Sequence, residues 1–306
     1  MERPYILHMF TPGKQMSPFD INMAADAGYN LLPTYSEVTL DNVTGLTQDA
    51  IFSRGPKGVL RTGIFIGGRD VLLAADMLDA AKKAMQKPFV VSVMADPSGS
   101  YTTAAAMVAC VEAQLRKVHG TDLVGKRVVI LGGTGTVGRI AGVLAQQLGA
   151  EVRLSSRKGA AAAQHCADET HARFGSPMSG VSGDSVETIR ASIAEADVVL
   201  GTAAAGVQVL SEADRHVATR LLVAADVNAV PPEGIAGVDV MDSGKLLTHP
   251  SGTCKAVGIG ALAIGDVKYQ TQHRLLVRMH KSDTPLYLSF PEALAVAREV
   301  LAAKPV

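Results

Sequence analysis

A glycine-rich turn between an apolar segment and a helical pattern constrains this chain more than any other feature. Residues 128–131 are apolar and mostly β-branched, as in a buried parallel strand. Gly133, Gly135 and Gly138 follow with the spacing G-x-G-x-x-G, and a helical pattern continues from Arg139. In this context the glycines permit a tight turn, a close approach of the backbone to a diphosphate, and close packing of the helix on the strand. The helix N-terminus attracts the phosphate charge, which predicts a dinucleotide site. The predicted contacts are Gly133, Thr134, Gly135, Thr136, Val137 and Gly138.

The end of the next predicted strand indicates which dinucleotide binds. Residues 151–155 alternate as a strand and end about 20 residues beyond the glycines, where NAD-binding units place a carboxylate for the ribose 2′-hydroxyl. Ser156, Arg157 and Lys158 stand there instead. Arg157 can bind a 2′-phosphate in bidentate fashion, and its neighbours can add donors. The sequence therefore favours NADP over NAD, while an ordinary solvated basic turn and the use of both cofactors stay open.

Composition excludes several classes of protein. With 306 residues the chain can form two α/β domains. Lys+Arg and Asp+Glu both number 29 and Trp is absent, so neither a basic field nor stacking aromatics indicate nucleic acid. No run of about 18 apolar residues could span a membrane, and the N-terminus leads into a strand rather than a signal region. Three scattered cysteines indicate reduced thiols, and the histidines lack metal-ligand spacing. We expect a cytoplasmic protein without a metal.

The alternation of strands and helices predicts an α/β fold with two open parallel-sheet domains. Strands are expected at residues 5–10, 30–38, 62–66 and 89–95, and then at 127–131, 151–155, 196–202 and 221–227. Residues 175–184 are typical of a loop that could hide a short strand. A long helix ending near His119 is expected to connect the domains. The predicted division is a substrate domain at 1–118, a Rossmann-type NADP domain at 119–267, and C-terminal helices at 268–306 that return to the first domain.

Polar segments after the predicted strands are candidate binding loops, because open α/β sheets bind ligands at the carboxyl ends of their strands. Residues 96–103 form a hydroxyl-rich loop of this kind, which is equally typical of a helix start capped by Ser100 or Thr102. Ser17 and Asp20 are expected to form a capping box at an earlier helix. The other predicted cofactor contacts follow strands of the second domain, where tight packing of sheet against helix is the alternative. These contacts are Thr202, Ala203, Asp226 and Asn228.

Five motifs carry a resemblance to a known family. They are Ser17-Pro18-Phe19-Asp20, Asp96-x-Ser98-Gly99-Ser100-x-Thr102-Thr103-Ala104-Ala105-Ala106, Gly132-Gly133-Thr134-Gly135-x-Val137-Gly138, Asp226-x-Asn228-Ala229-x-Pro231-Pro232-x-Gly234-Ile235, and Lys255-Ala256-x-Gly258-Ile259-Gly260. In this order and over nearly the whole chain, the sequence resembles the bacterial NAD(P)-dependent methylene-tetrahydromethanopterin dehydrogenases. It is more distantly similar to the methylene-tetrahydrofolate dehydrogenases.

The resemblance implies an oxidoreductase of one-carbon metabolism, in the oxidation of formaldehyde. Such an enzyme transfers a hydride from N5,N10-methylene-tetrahydromethanopterin to NADP+. The two nitrogens that flank the donor carbon stabilise the resulting cation, so the step needs no acid–base pair, nucleophile or metal. It depends mainly on holding the donor carbon near the nicotinamide. The resemblance also implies a homo-oligomer built from trimers.

The resemblance further assigns substrate contacts. Lys255 would otherwise be a typical solvated lysine, and the family match implies that it lines the pterin cleft with the loop at 96–103. Since a cation beside a developing cation would hinder the reaction, we expect Lys255 to orient the substrate by hydrogen bonding. Asp20 either contacts the pterin or only caps its helix. The predicted set is Asp20, Asp96, Ser98, Ser100, Thr102, Thr103 and Lys255, of which Lys255 is the catalytic candidate. Pro97 and Tyr101 depart from some relatives, which leaves the pterin form open.

Three other functions stay open on the sequence alone. A methylene-tetrahydrofolate dehydrogenase shares the reacting centre, although the Tyr and Lys pair of its bifunctional forms has no counterpart here. A catalytically silent NADP-binding sensor would not need the polar residues on the loops that face the crevice. An unrelated NADP oxidoreductase acting on an amino acid or a quinone is the third.

Overall fold

The computed structural model describes residues 3–250 and 255–303. In chain order its helices and strands are β1 (Ile6–Phe10), α1 (Pro18–Asp26), β2 (Thr34–Tyr35), α2 (Leu40–Phe52), α3 (Gly55–Val59), β3 (Thr62–Ile66), α4 (Val71–Lys83), β4 (Ser92–Ala95), α5 (Ser100–His119), β5 (Arg127–Leu131), α6 (Thr136–Gln147), β6 (Glu151–Ser156), α7 (Ala160–Phe174), β7 (Ser179–Ser182), α8 (Val186–Ile193), β8 (Val198–Gly201), α9 (Glu212–Arg215), β9 (Val223–Asp226), β10 (Ser243–Leu246), β11 (Val257–Ile259), α10 (Ala261–Lys281), β12 (Tyr287–Leu288) and α11 (Phe290–Ala302). Cys254 and the preceding residues 251–253, and the last three residues of the predicted C-terminal helices, 304–306, lie outside the described residues.

The chain divides into two compact units. The first comprises Met1–Thr102 with Tyr269–Val296, and the second comprises Thr103–Lys268 with Ala297–Val306. The boundaries fall within α5, α10 and α11, so the backbone passes from one unit to the other inside helices rather than in loops.

The described part of the first unit contains a five-stranded sheet in the order β12-β4-β3-β1-β2. All four strand pairs are parallel. Every residue of the central strand β3 is buried, as expected of a parallel strand that is covered on both faces. The sheet places the chain segments that follow β1, β3 and β4 at one edge, because parallel strands all end on the same side.

The described part of the second unit contains a seven-stranded sheet in the order β10-β11-β9-β8-β5-β6-β7. Only β10 runs antiparallel to its neighbour, β11. A cluster of fully buried apolar residues packs around the central strands, including Val129, Val199 and Ala224. The prediction of an α/β fold with two open, mostly parallel sheets is confirmed.

Several elements differ from the sequence prediction. The segment 175–184, expected to be a loop that could hide a short strand, does contain one, β7. Of the predicted 30–38 strand, Thr34–Tyr35 forms β2, and Leu31 pairs with Ile6 in an isolated bridge. The short elements α3, β10, β11 and β12 were not expected. Strands of two to four residues such as β10 and β12 carry too few side chains for a recognisable alternation, since strand signals need runs of about 4–8 residues.

Ser17 occupies the N-cap position of α1, as predicted. Among the described residues Ser17 precedes α1 without a capping side-chain hydrogen bond. Oδ1 of Asp20 accepts a hydrogen bond of 2.7 Å from Nε2 of Gln272, a residue near the other end of the chain. At α2, Oδ1 of Asn42 accepts a hydrogen bond from the backbone N–H of Thr39, the residue before the helix, at 2.8 Å. The N-cap position of α1 was therefore predicted correctly, whereas the predicted capping hydrogen bond of the Ser17 side chain was wrong.

Candidate active site

The glycine turn joins β5 to α6, as the sequence indicated. The left-handed residue in it is Gly132, with φ +73°, rather than Gly133. A Cβ atom on Gly132 would lie 2.8 Å from the backbone of Ala203, so both the backbone conformation and the close approach require glycine. The N–H of Gly133 donates to Ile130 O at 3.1 Å and to Ser155 O at 3.0 Å, which ties the turn to the ends of β5 and β6.

Gly138 packs closely as the sequence predicted, whereas the approach of a diphosphate to Gly135 stays a prediction. Gly135 is the exposed residue that precedes α6, and a Cβ atom at this position would lie 3.3 Å from Gly132 O, which is a tight contact. Gly138 is buried, and a Cβ atom on it would lie 2.7 Å from Oγ1 of Thr202. The Thr202 hydroxyl in turn donates to Leu131 O at 3.1 Å. The turn leaves Gly135 exposed at the N-terminus of α6, where we expect a diphosphate to bind.

A cavity of about 560 Å³ opens at this turn within the second unit. Among the predicted cofactor contacts, those that line it are Thr134, Gly135, Ser156, Arg157, Lys158, Thr202 and Ala203. The predicted contacts that are not among the lining residues are Gly133, Thr136, Val137, Gly138, Asp226 and Asn228. The structure thus brings together the glycine turn, the basic turn after β6 and the end of β8, from segments that are up to about 70 residues apart in the chain.

The charge of the cavity wall is positive. Arg139, Arg157 and Lys158 line it, and no carboxylate side chain is among the described lining residues. The backbone N–H of Lys158 donates to Oγ of Ser156 at 3.1 Å, which shapes the basic turn. A wall of this composition fits a nucleotide with an additional 2′-phosphate better than one with a free ribose hydroxyl.

The sequence analysis missed Arg139 on α6 and two side chains on α7, His165 and Cys166, all of which line the cavity. Burial raises the pKa of the Cys166 thiol, although the neighbouring Arg139 guanidinium opposes this, so the thiol stays protonated and unreactive near neutral pH. The only local signal for these residues is the position of Arg139 directly after the last glycine of the motif; their placement depends on how α7 packs beside α6.

Asp226 and Asn228 organise the loop after β9 from within. Oδ2 of Asp226 accepts from the backbone N–H groups of Gly234 at 2.7 Å and Ile235 at 3.1 Å. Asn228 Oδ1 accepts from the N–H of Gly206 at 3.0 Å, which links this loop to the one after β8. Burial raises the pKa of Asp226 against the effect of these hydrogen bonds. Both side chains are buried. If this part of the chain contacts a cofactor as predicted, the contact would therefore be made by the loop that the two side chains hold in place.

In the first unit, the predicted pterin loop follows β4. Asp96 is fully buried, and its Oδ1 accepts from the backbone N–H groups of Tyr101 at 2.9 Å and Thr102 at 3.1 Å. Asp96 therefore caps α5, in place of the predicted Ser100 or Thr102. Ser100 and Thr102 are both buried as well. These three side chains shape the loop more directly than they present polar atoms to a ligand.

Ser98 differs from its neighbours because it is exposed and has a left-handed backbone, with φ +52°. Its Oγ donates to the carbonyl of Gly68 at 2.9 Å, and the hydroxyl of Tyr101 donates to Val71 O at 2.5 Å. The loop is thereby fastened to the segment that follows β3. A non-glycine residue in this conformation costs of order 1 kcal/mol and is typical of ligand-binding sites.

The remaining predicted substrate residues lie at separate places. Asp20 is buried in the first unit beside Gln272. Thr103 is partly exposed and is the first residue of the second unit. Lys255 is exposed and directly precedes Ala256, whose carbonyl accepts from the N–H of Leu247 at 2.8 Å. The local geometry does not test their contact with a substrate, and their roles stay predictions.

Neither a metal cluster nor a membrane helix occurs in the described part of the chain. No group of three or more His, Cys, Asp or Glu side chains in residues 3–250 and 255–303 could hold a metal ion. In the same ranges no helix combines the length and the apolar character that a bilayer crossing needs.

The sequence is similar to a known protein family and to known proteins over most of its length. Residues 18–98 match the family described as methylene-tetrahydromethanopterin dehydrogenase, N-terminal. Over 295 residues the chain is 50% identical to the NAD(P)-dependent methylenetetrahydromethanopterin dehydrogenase of Methylorubrum extorquens, covering 96% of this chain and 98% of the relative. It is also 34% identical over 282 residues to the bifunctional protein MdtA of the same organism, covering 92% of this chain and 94% of the relative.

Among solved structures, the 5-ketofructose reductase of a Gluconobacter strain, in its ligand-free form, is similar in fold. The TM-score is 0.52 at 15% sequence identity, with 97% of this chain and 99% of the other covered. At this identity the likeness concerns the fold alone.

Proposed function

The chain belongs to the family of methylene-tetrahydromethanopterin dehydrogenases, and from this premise we propose that it is an NAD(P)-dependent dehydrogenase of N5,N10-methylene-tetrahydromethanopterin. In this reaction a C–H bond of the methylene carbon between N5 and N10 breaks. Its hydride passes to NADP+, and the products are the methenyl cation and NADPH. The observation that carries the proposal is the cation-lined cavity at the glycine turn, in a chain that shares half of its residues with a relative named for this activity.

The residues of the cavity fit NADP. When bound, the cofactor supplies the hydride acceptor. Gly135 and the N-terminus of α6 would hold the diphosphate, since backbone N–H groups and the helix dipole both favour an anion there. Ser156, Arg157 and Lys158 would hold the 2′-phosphate by charge-assisted hydrogen bonds. The loops that carry Thr202, Ala203, Asp226 and Asn228 would complete the wall.

For the pterin, we assign direct contacts to the accessible side chains of the predicted set, Ser98, Thr103 and Lys255. Lys255 would orient the substrate by donating hydrogen bonds, because a positive charge close to the forming methenyl cation would oppose the reaction. The buried residues Asp20, Asp96, Ser100 and Thr102 would act by fixing the shape of the loops. Catalysis then depends on positioning, which by itself can supply several kcal/mol of a reaction barrier, up to about 7–11 kcal/mol in well-oriented systems.

We also propose a cytoplasmic homo-oligomer built from trimers. Cys110 and Cys166 are buried free thiols, which is usual in a reducing compartment. Light scattering of the purified protein would give the assembly mass, and a mass that is not a multiple of three protomers would contradict the trimer. Cell fractionation with an antibody against the protein would test the compartment.

A spectrophotometric assay tests the proposed activity. Methylene-tetrahydromethanopterin and methylene-tetrahydrofolate are each offered with NADP+ and with NAD+, and formation of NAD(P)H is followed. We expect rapid turnover with the methanopterin and NADP+. Turnover with the folate alone would assign the same hydride chemistry to another carrier. Tight NADP binding without turnover of either pterin would contradict the proposed function and leave a nucleotide-binding protein.

A further inference from the structure

Arg139 is a third cation in the cavity wall, and it comes from a different element than Arg157 and Lys158. It follows Gly138 in the first turns of α6, whereas the other two belong to the turn between β6 and α7. Its side chain is only 19% exposed. An anion inside the cavity would therefore meet positive charge on two sides.

Arg139 already has an anionic partner. Its Nη2 donates to Oε2 of Glu169 on α7 at 3.0 Å. The side chain of Glu169 is 42% exposed, and the residue is not among those that line the cavity. His165, one helical turn earlier and on the cavity wall, lies 3.4 Å from Oε1 of the same carboxylate. Glu169 thus binds Arg139 from outside the cavity, while the Arg139 side chain lines the cavity wall.

This arrangement makes the guanidinium available to a second anion. A ribose 2′-phosphate carries close to two negative charges near neutral pH and has several acceptor oxygens, whereas a carboxylate carries one charge. A guanidinium has five N–H donors in a planar fork, so it can bind a phosphate and still share its remaining donors. A phosphate in the cavity would draw Arg139 towards it and weaken the contact with Glu169.

We propose that Arg139 is a specificity-determining residue that binds the 2′-phosphate of NADP, and that Glu169 limits this binding by competing for the same guanidinium. The inference rests on the proposed function, because it takes NADP as the cofactor. When NAD binds, the pair of Arg139 and Glu169 stays closed and neutral. When NADP binds, the phosphate takes over part of the hydrogen bonding of Arg139. One cavity can accept both dinucleotides in this way, with the preference set by Glu169.

The test measures binding of nucleotide fragments to the full-length protein by isothermal titration calorimetry. Adenosine 2′,5′-bisphosphate carries the 2′-phosphate and AMP lacks it, so their ratio of Kd values reports on that phosphate alone. We expect Arg139→Gln to weaken binding of the bisphosphate about tenfold, as for the loss of one charge-assisted hydrogen bond, and to leave AMP nearly unchanged. We expect Glu169→Gln to tighten binding of the bisphosphate severalfold, because the competing charge is gone.

The opposite directions of the two effects separate this role from a structural one. If the ion pair only held α6 and α7 together, both variants would lose it and would shift binding in the same direction. Arg220→Gln is the matched control, since Arg220 is a cation of the same unit, 60% exposed and paired with Asp197, that does not line the cavity. It should leave both Kd values unchanged. Should Arg139→Gln fail to fold, Glu169→Gln still carries the test.

Each outcome bears on a distinct claim. A wild-type protein that binds the bisphosphate no better than AMP would overturn the proposed NADP site. If the wild-type protein shows the expected preference, the NADP site stands. The inference would then be overturned by an Arg139→Gln variant that retains the preference, or by a Glu169→Gln variant that loses it.

Discussion

Oγ1 of Thr102 donates a hydrogen bond to Oδ2 of Asp96 over 2.6 Å, and both side chains are inaccessible to solvent. The other oxygen of the same carboxylate accepts from two backbone N–H groups at the start of α5. The contact fixes the path of the chain from β4 into the helix. It therefore sets the shape of the loop that we propose to bind the pterin, although neither side chain faces solvent.

Replacement of Thr102 by Val should destabilise the protein. The buried carboxyl group of Asp96 would lose a hydroxyl donor, and losing such a bond costs about 1–3 kcal/mol. Urea denaturation should show the free energy of unfolding lowered by this amount. Thr102→Ser keeps the hydroxyl and should remain within about 0.5–1 kcal/mol of wild type. A Val variant as stable as wild type would show that the contact does not hold the loop.

Replacement of Lys255 by Ala should lower kcat/KM for the pterin by roughly tenfold or more, which corresponds to at least about 1.4 kcal/mol of transition-state binding. Because Lys255 is exposed, the denaturation midpoint should stay close to that of wild type. Lys245→Ala, at another exposed lysine of the same unit, is the control. Unchanged steady-state kinetics in the Lys255 variant would remove that residue from the site.

Replacement of Arg157 by Ala should reduce the use of NADP far more than the use of NAD. The guanidinium can bind the 2′-phosphate in bidentate fashion, and NAD has no such group. The measurement is kcat/KM for each dinucleotide at a saturating pterin concentration, so that NAD serves as the internal control. An equal loss for both would count against a role in binding the 2′-phosphate.

Acid should destabilise the first unit through His280 and His8. Burial lowers the pKa of His280, and burial together with the nearby Arg54 lowers the pKa of His8. A histidine in the unfolded chain has a pKa of about 6.5, so the unfolded chain binds more protons than the folded one in this range. The stability that the neutral rings contribute is complete above that pH and falls as the pH drops from about 6.5 towards the folded pKa values. Denaturation series at pH values from about 8 down to about 5, on both sides of the unfolded pKa of histidine, would measure this loss of stability.

His280→Phe separates the contribution of this ring. The histidine stacks on Tyr5 with ring centroids 3.9 Å apart and meets Tyr29 edge-on at 5.1 Å, and phenylalanine can keep these contacts. The variant should lose less stability than wild type over the same acidic range. An identical pH dependence in the two proteins would assign the acid sensitivity to other groups.

The strands that lie within an apolar run were predictable, and the shortest elements without such a run were not. β5 was predicted at its observed bounds, because a glycine turn directly follows Val128 and its apolar neighbours. β12 could not be found, since its two residues become a strand only by pairing with β4, where Tyr287 lies beside Val93. β11 contains a glycine and three residues in all. Pairing across the sheet decides such segments, and their own side chains carry almost no signal.

The candidate site divides in the same manner. The glycine turn and the basic turn with Arg157 were recognisable because their chemistry lies within consecutive residues. The capping role of Asp96 was missed, since Ser100 and Thr102 are equally good caps by residue type. Only the tight turn at residues 97–99 brings the earlier carboxylate to the start of α5.

The sequence by itself determined the alternation of strands and helices, the glycine turn with the basic residues from which we infer a preference for a 2′-phosphate, and the family. These are set by neighbouring residues, through backbone freedom, apolar periodicity and local charge. Only the tertiary structure decided that Arg139 meets Glu169, 30 positions away, and that Asp20 is held by Gln272, 252 positions away. Hydrogen bonds and ion pairs act over a few ångströms in space, and packing of the sheets and helices alone determines which distant residues come within that range.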